Sequence, residues 1–579
     1  MICPFCEGEI GATAKKCRHC GEWVVERDEA EETEEQVEAD HGPPPSASHP
    51  TRCGSCGVWN KASRSYCRKC IRPFLLLGLV LVVVAFVAWR PTPAGVWHDD
   101  GVYLLVGKAL AEGNGLHYTG VVGAPPAVKF PPLYSGVLAV LWFLFGEIGA
   151  VTLAAQMLNL VLLGCAGALM AWALHVRAGL EKPWALAAGL LAFVSADVLR
   201  FALIPLSEPL FMLFLMGTFA AWPVGENGEK DRRRRILVSV LMILLVLTRS
   251  AAIAPIVGCA LALLWAGRVR SAAVLVGPAV LVASAWGAWA TARAAEVPDG
   301  MRDVLGPYTG WLSQQLLGDP VGFVARLPTH AWGVVARVAT LFVPGVSRPV
   351  VWFVLAPLLL LGAVGARGMH RRFPPFAWTA AAYFGLLLLW PYVDSRLVAP
   401  LHPFLVTFVL VGAVDLGRSI GKPRLSLLLR GAVVGWVGAY TLGTASRIAS
   451  GWPVASYQTR AAQLAPAIEA LGRTATAESI VGAPEFWPAL HLHAGWTVTP
   501  SALFRPARRE GMAPMRGTPD EQLRLWRAAG VSHLLLENRG EIHGEALDSL
   551  EARCPGSVEL VAVLPPQMVV RTHWTACPS

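Results

Sequence analysis

The residues best suited to chemistry lie in Trp97-His98-Asp99-Asp100-Gly101-Val102-Tyr103, which follows the first long apolar run at 74–89. Two adjacent carboxylates beside a bilayer are costly and are kept where they serve a function. Further on, Lys129-Phe130-Pro131-Pro132-Leu133-Tyr134 opens the next apolar run, so an acidic pair and a lone lysine share one loop. Ser207-Glu208 precedes an apolar segment, Thr248-Arg249 separates two, and Tyr392-Val393-Asp394-Ser395-Arg396 precedes another. Taken singly, Arg249 and Arg396 read equally well as helix ends reaching for water, and Glu208 as a helix cap. Taken together they fit displacement of a phosphate. A carboxylate takes the proton of an attacking hydroxyl, while lysine and arginine neutralise the departing phosphate. If the attack falls directly on an anomeric carbon, one base suffices and the configuration inverts.

Composition says what must position these groups. With 54% hydrophobic and 15% charged residues, and 22 tryptophans in 579 residues, the chain is too apolar and too poor in charge for a soluble protein of its size. Its mean hydropathy is +0.49. The class expected is an α-helical polytopic membrane protein. The net charge of +9 sits in short loops between apolar segments, so it orients the chain and does not point to nucleic acid.

The first apolar run begins too late for a signal peptide and reads as a signal anchor. Arg64, Arg68, Lys69 and Arg72 precede it, which keeps the N-terminus cytoplasmic and puts Asp99 and Asp100 outside a cytoplasmic (plasma, or inner) membrane. The basic clusters at 232–235, 268–270, 367–372 and 418–430 then read as cytoplasmic. Segments 236–248, 251–266, 272–291, 350–366, 376–392, 398–416 and 427–445 alternate between them. Four apolar stretches, 133–147, 151–174, 184–199 and 203–222, fall where parity asks for an odd number of crossings. Several are shorter than the ~20 residues that cross hydrocarbon, and about 11 to 13 spans are expected in all. Segment 332–345, with Trp332 and Arg337, reads as an amphipathic helix on the outer surface.

Eight of the twelve cysteines form two copies of one spacing: Cys3, Cys6, Cys17 and Cys20, then Cys53, Cys56, Cys67 and Cys70. Paired C-x2-C knuckles ten residues apart suit tetrahedral thiolate coordination of two structural zinc ions, and a reducing compartment disfavours disulfides instead. Such ribbons at 1–24 and 51–72 would be a binding or regulatory appendage that docks a cytoplasmic protein. Between them, 26–40 carries nine acidic residues and one arginine, followed by a proline-rich stretch, so 25–50 reads as a disordered linker. Cys165 and Cys259 lie in apolar segments and read as packing residues.

The chain from 451 to 579 reads as an extracytoplasmic α/β domain after a membrane domain at 73–450. Helices are expected at 459–473 and 519–529, strands at 479–483 and 533–537, and a hairpin at 558–571 through Pro565-Pro566. Its outside location permits a Cys554–Cys577 disulfide. Glu485, His491 and His493 read as ordinary packing residues before they read as a metal or sugar site. No phosphate loop, dinucleotide motif or nucleophile elbow is present.

The order of these motifs resembles the GT-C membrane glycosyltransferases. The resemblance is carried by Asp99-Asp100-x-x-Tyr103, Lys129-x-Pro131-Pro132-Leu133-Tyr134, Ser207-Glu208-Pro209-Leu210, Leu247-Thr248-Arg249 and Arg396-Leu397-x-x-Pro400-x-x-Pro403. Within that superfamily it is to the protein O-mannosyltransferases and the aminoarabinose lipid A transferases, over residues 75–450. The resemblance implies a polyprenyl-phosphate sugar donor, inversion, and a catalytic aspartate in the first outer loop, Asp99, with Asp100 where the family often has glutamate. It assigns Lys129, Arg249 and Arg396 to the lipid phosphate, and Tyr103, Glu208 and Tyr134 to shaping the site. This chain departs from the pattern in having Arg396-Leu397 for Arg-Tyr and Gly107-Lys108 for Ala-Arg, and the ribbons lie outside it.

The acceptor, whether lipid, glycan or protein, and any divalent cation at the acidic pair are not encoded in these motifs. Two other classes compete. A transporter of lipid-linked material predicts polar groups deep in the spans. A sensor or scaffold explains both termini but leaves Asp99, Lys129 and Arg249 without a role.

Overall fold

The computed structural model describes residues 51–52, 59–60, 68–223, 232–308, 317, 320–342, 348–390, 393–420, 423–500, 518–536 and 542–576. Residues 1–76 and 77–579 form two compact units. In the first, strand β1 (Thr51–Arg52) pairs antiparallel with β2 (Trp59–Asn60), and the helix Arg68–Ala88 begins. Cys70 lies in that helix, while Cys3, Cys6, Cys17, Cys20, Cys53, Cys56 and Cys67 lie outside the described residues. Among the described residues no cluster of His, Cys, Asp and Glu is arranged to hold a metal ion.

Among the described residues, five helices are long and apolar enough to cross a bilayer: Cys70–Ala88, Ile148–Val176, Val269–Glu296, Ser395–Ser419 and Pro423–Gly472. The chain is therefore a multi-pass membrane protein, mostly helical. Shorter apolar helices, among them Leu133–Phe145, Lys182–Val194 and Glu208–Ala221, pack between them. A helix of 13 residues rises only about 20 Å, less than the ~30 Å of hydrocarbon.

The four apolar stretches that disturbed the parity are not four uniform spans. The stretch expected at 184–199 breaks at Ser195, whose backbone is non-helical (φ −49°, ψ 129°). The one expected at 203–222 becomes helical only at Glu208. Pro205 has no N–H to continue a helix and disfavours helical backbone before it. The carbonyls this frees are satisfied by one buried side chain: Asn159 Nδ2 donates to Ile204 O at 2.9 Å and to Leu206 O at 3.0 Å. Ser207 and Glu208 thus start a helix inside the protein, with Pro209 in its first turn.

Elsewhere the helices approach closely. A Cβ on Gly412 would lie 1.9 Å from Leu361 O, and one on Gly365 would lie 1.7 Å from Phe408 O, so the helices Arg348–Arg372 and His402–Ser419 meet backbone to backbone. Arg372 closes one end of this pair with two bonds to the Asp415 carboxylate, at 2.7 and 2.5 Å. The amphipathic helix expected from 332 starts earlier, at Pro320. Val321, Val324 and Trp332 are exposed, and His330, Val334 and Val338 are buried.

The C-terminal part carries a five-stranded mixed sheet in the order β4-β3-β5-β7-β6. These strands are β3 (Ile480–Ala483), β4 (Thr497–Pro500), β5 (His533–Leu536), β6 (Val558–Leu564) and β7 (Gln567–Thr572). The pairs β3/β4 and β3/β5 are parallel, while β5/β7 and β6/β7 are antiparallel. Trp526, Leu534, Leu547, Leu550 and Val570 fill the core between the sheet and the helices Pro519–Ala528 and Ile542–Arg553. Cys554 is disulfide-bonded; Cys577 lies outside the described residues. The edge strand β4 continues into the loop that follows the acidic motif: Val122 N–H donates to Val498 O at 3.0 Å, and Val498 N–H to Gly120 O at 2.8 Å. Sheet and membrane helices belong to one compact unit.

Candidate active site

The acidic motif is a loop, 94–98, feeding the helix Asp99–Ala111, and the C-terminal segment holds it from outside. His493 Nε2 donates to Ala94 O at 3.0 Å, and Arg460 Nε donates to Val96 O at 2.5 Å. Trp97 stands edge-on to Tyr457 and beneath the Arg200 guanidinium, 5.1 Å from its ring centre. Gly95 has φ +81°, and a Cβ there would lie 2.6 Å from Ala489 Cβ, so only glycine fits the contact.

The two carboxylates of the pair have separate tasks. Asp100 is fully buried and turns back on the loop, accepting from Gly95 N–H at 2.8 Å and Trp97 N–H at 2.9 Å. Burial pushes its carboxyl up, to about 6, against the pull of those backbone donors. Asp99 faces the other way, into a cavity of about 410 Å³.

Around Asp99 the charges interlock. Arg396 donates through Nη1 to Asp99 Oδ2 and through Nε to Glu208 Oε1. Arg249 Nη1 lies 2.6 Å from the same Glu208 oxygen and donates to Ser207 Oγ at 2.9 Å. Ser207 Oγ is also 2.9 Å from the Tyr103 hydroxyl. Asp394 caps the turn Ser395–Val398 by accepting from Arg396 N–H at 3.0 Å, which fixes where the arginine departs from the backbone. Side-chain exposure is 2% for Glu208, 9% for Arg396 and 11% for Arg249, against 19% for Asp99, so the cluster is open to solvent chiefly at Asp99. Two carboxylates and two guanidiniums balance, which is what makes such burial tolerable. Burial alone would raise the Asp99 carboxyl, but Arg396 outweighs it. With His98 and Lys129 adding to the effect, Asp99 is held well below the usual carboxylate range. Burial also pushes the Tyr103 phenol up to about 12, so it is neutral.

Aromatic rings form much of the remaining cavity wall, among them Trp97, Phe130, Tyr308, Tyr383 and Trp390. Lys129 stands behind two of these rings, with Nζ 5.5 Å from the centres of Phe130 and Tyr308 and donating to Val304 O at 2.8 Å. Burial lowers its ammonium pKa and the Asp99 charge opposes the shift. Tyr134 is buried edge-on against Tyr103, 5.1 Å between centres. Of the sequence candidates, then, Asp99, Tyr103, Arg249 and Arg396 line the cavity. Glu208, Lys129 and Tyr134 support them from behind, and Asp100 is committed to the backbone of its own loop.

Three further residues lie near Asp99. Glu485 lines the cavity and pairs with Arg460. His98 lies beside Asp99, and Trp487 beside His98. His491 and His493 both donate to backbone carbonyls, Trp496 O and Ala94 O.

No family model matches the chain, and no curated protein matches it. Among solved structures it is similar to ArnT from Cupriavidus metallidurans in the apo state, at 15% identity and a TM-score of 0.49, over 87% of this chain and 98% of that one. The same protein bound to undecaprenyl phosphate gives 14% identity and 0.47, over 89% and 100%. The Archaeoglobus fulgidus oligosaccharyltransferase in complex with Zn and sulfate gives 11% identity and 0.46, over 80% and 68%. At TM-scores below 0.5 these stand as likenesses, and the site is read from its own residues.

The charge balance has a measurable consequence. Glu208→Gln removes the anion shared by two buried guanidiniums and is expected to cost about 3–5 kcal/mol. Asp99→Asn leaves Arg396 paired with Glu208 and costs much less. Thermal unfolding of the purified protein in detergent checks this; equal midpoints for the two variants would contradict it.

Proposed function

We propose that the chain is an integral-membrane glycosyltransferase that moves a sugar from a polyprenyl-phosphate donor to an acceptor hydroxyl at the outer membrane face, with inversion. The observation that supports it is the cavity itself, where one carboxylate and two guanidiniums converge at the ends of apolar helices, with a lysine behind an aromatic wall. The acceptor oxygen forms a bond to the anomeric carbon as its proton passes to Asp99. The bond from that carbon to the phosphate oxygen breaks, and the polyprenyl phosphate leaves with the electron pair. Arg396, Arg249 and Lys129 supply the positive charge for that departing phosphate. The lipid explains why the cavity sits among membrane helices, and the ring faces suit a sugar and the first prenyl units.

Arg396 links the two halves of this chemistry. Paired with Asp99, it keeps that carboxylate too acidic to accept a proton readily. A phosphate arriving beside Arg396 shares its charge, so donor binding raises the basicity of the base. Asp100, each of whose oxygens accepts a backbone N–H from Gly95 or Trp97, holds the loop that carries Asp99.

The orientation belongs to the same proposal: N-terminus in the cytoplasm, with the cavity and C-terminal sheet on the far side of a plasma or inner membrane. The acceptor there is a lipid, glycan or protein. The cysteine spacing supports two structural zinc ions, held by Cys3, Cys6, Cys17 and Cys20 and by Cys53, Cys56, Cys67 and Cys70, in ribbons that dock a cytoplasmic protein.

Membranes supplied with radiolabelled polyprenyl-phosphate sugars are expected to transfer label, and Asp99→Asn is expected to lower transfer by about 10²–10⁴-fold at unchanged expression. Transfer by Asp99→Asn at the parental rate would contradict the proposal. Elemental analysis of the purified chain should find two zinc ions per molecule and one after Cys3→Ser with Cys6→Ser; no zinc in the parent would overturn the ribbons.

A further inference from the structure

We propose that His98 is a positioning residue for Asp99 and that Trp487, from the C-terminal segment, fixes the tautomer in which it acts. This rests on the reading of Asp99 as the base. The indole N–H of Trp487 only donates, and it lies 3.0 Å from His98 Nε2. Nε2 must therefore present its lone pair, which leaves the ring proton on Nδ1. Nδ1 lies 3.1 Å from Asp99 Oδ1 and donates to it. The three groups form one directed chain, indole to imidazole to carboxylate.

The backbone carries the same message. His98 has φ 69° and ψ −68°, and Asp99 N–H bonds back to Trp97 O at 2.9 Å, the pattern of the strained, positive-φ γ-turn. A side chain at such a φ persists where its surroundings over-determine it, and these conformations cluster at functional sites. Trp487 supplies the surroundings. It is fully buried, its ring meets the His98 ring edge-on at 5.5 Å, and Tyr118 stacks edge-on behind it at 6.2 Å. Its neighbours close on the loop as well, since a Cβ on Gly101 would lie 2.7 Å from Pro488 Cβ.

The arrangement divides the Asp99 carboxylate by atom. Oδ1 is held by His98 and Oδ2 by Arg396. When a phosphate draws on Arg396, Oδ2 becomes the free oxygen, while the bond to His98 keeps the carboxylate aimed into the cavity. Oδ2 is then the atom that receives the acceptor proton. His98 cannot take that role, because its only lone pair faces the Trp487 N–H.

The test uses the full-length protein in membranes with a radiolabelled polyprenyl-phosphate sugar, measuring kcat and the KM for donor separately. His98→Gln loses the donor at the Nδ1 position and is expected to lower kcat on the order of 10–100-fold, the size that supporting hydrogen bonds carry at other sites. The donor KM should change little. His98→Asn, whose amide nitrogen stands where Nδ1 stood, should recover most of the loss. Trp487→Phe keeps the aromatic edge but frees the tautomer, and should fall between them. Loss through misfolding alone would lower the amount of active protein in both His98 variants without this ordering. If the two variants and Trp487→Phe all turn over as the parent does while Asp99→Asn is inactive, the positioning role is wrong and the base stands. If Asp99→Asn is itself active, the parent reading fails first.

Discussion

Arg396 is shared between Asp99 and Glu208, and most of the site depends on that sharing. An arginine this deeply buried is tolerable only because two carboxylates meet it, and Glu208 only because Arg249 meets it from the other side. The four groups come from four places: the start of Asp99–Ala111, the start of Glu208–Ala221, the end of Arg232–Thr248 and the turn Ser395–Val398. Electrostatic balance therefore ties together segments hundreds of residues apart in sequence. It also sets the charge state of the site, holding the Asp99 carboxyl well below the usual carboxylate range.

That balance needs a rigid first loop, and the loop cannot supply its own rigidity. It contains Gly95 in a close contact and His98 in a strained turn, and Gly101 makes a second close contact in the helix that follows. Its fixed points come from Asp100, which bonds two of its N–H groups, and from His493, Arg460 and Trp487 of the C-terminal segment. The sheet that carries that segment extends through Val498 onto residues 120–122. The C-terminal part is therefore built into the cavity: Glu485 lines it, and Arg460, Trp487 and His493 hold the loop beside it.

How much of this was legible in sequence follows from the same physics. Charges stand out in a chain this apolar, so Asp99, Glu208, Arg249 and Arg396 were visible one by one, and their order suggested a site. The division of labour within Asp99-Asp100 was not visible, because successive residues at a helix start point in different directions and spacing alone does not say which faces a cavity. The break before Glu208 had a signal in Pro205 and Pro209, but the apolar run around them outweighed it. The role of Asn159 in satisfying that break depends on packing. His98 sat in plain view, yet its tautomer is set by Trp487, 389 residues further on, a contact that no local pattern contains. Strands near 480, 533 and 558–572 were readable from alternation; the mixed order of the sheet was not.

The most direct test is a structure of the full-length protein with a polyprenyl phosphate bound in lipid nanodiscs. The account predicts the phosphate in the cavity within hydrogen-bond reach of Arg396 and Arg249, with Arg396 drawn away from Asp99 Oδ2 and Asp99 Oδ1 still bonded to His98. A phosphate bound elsewhere, with Arg396 still joining Asp99 to Glu208, would contradict it.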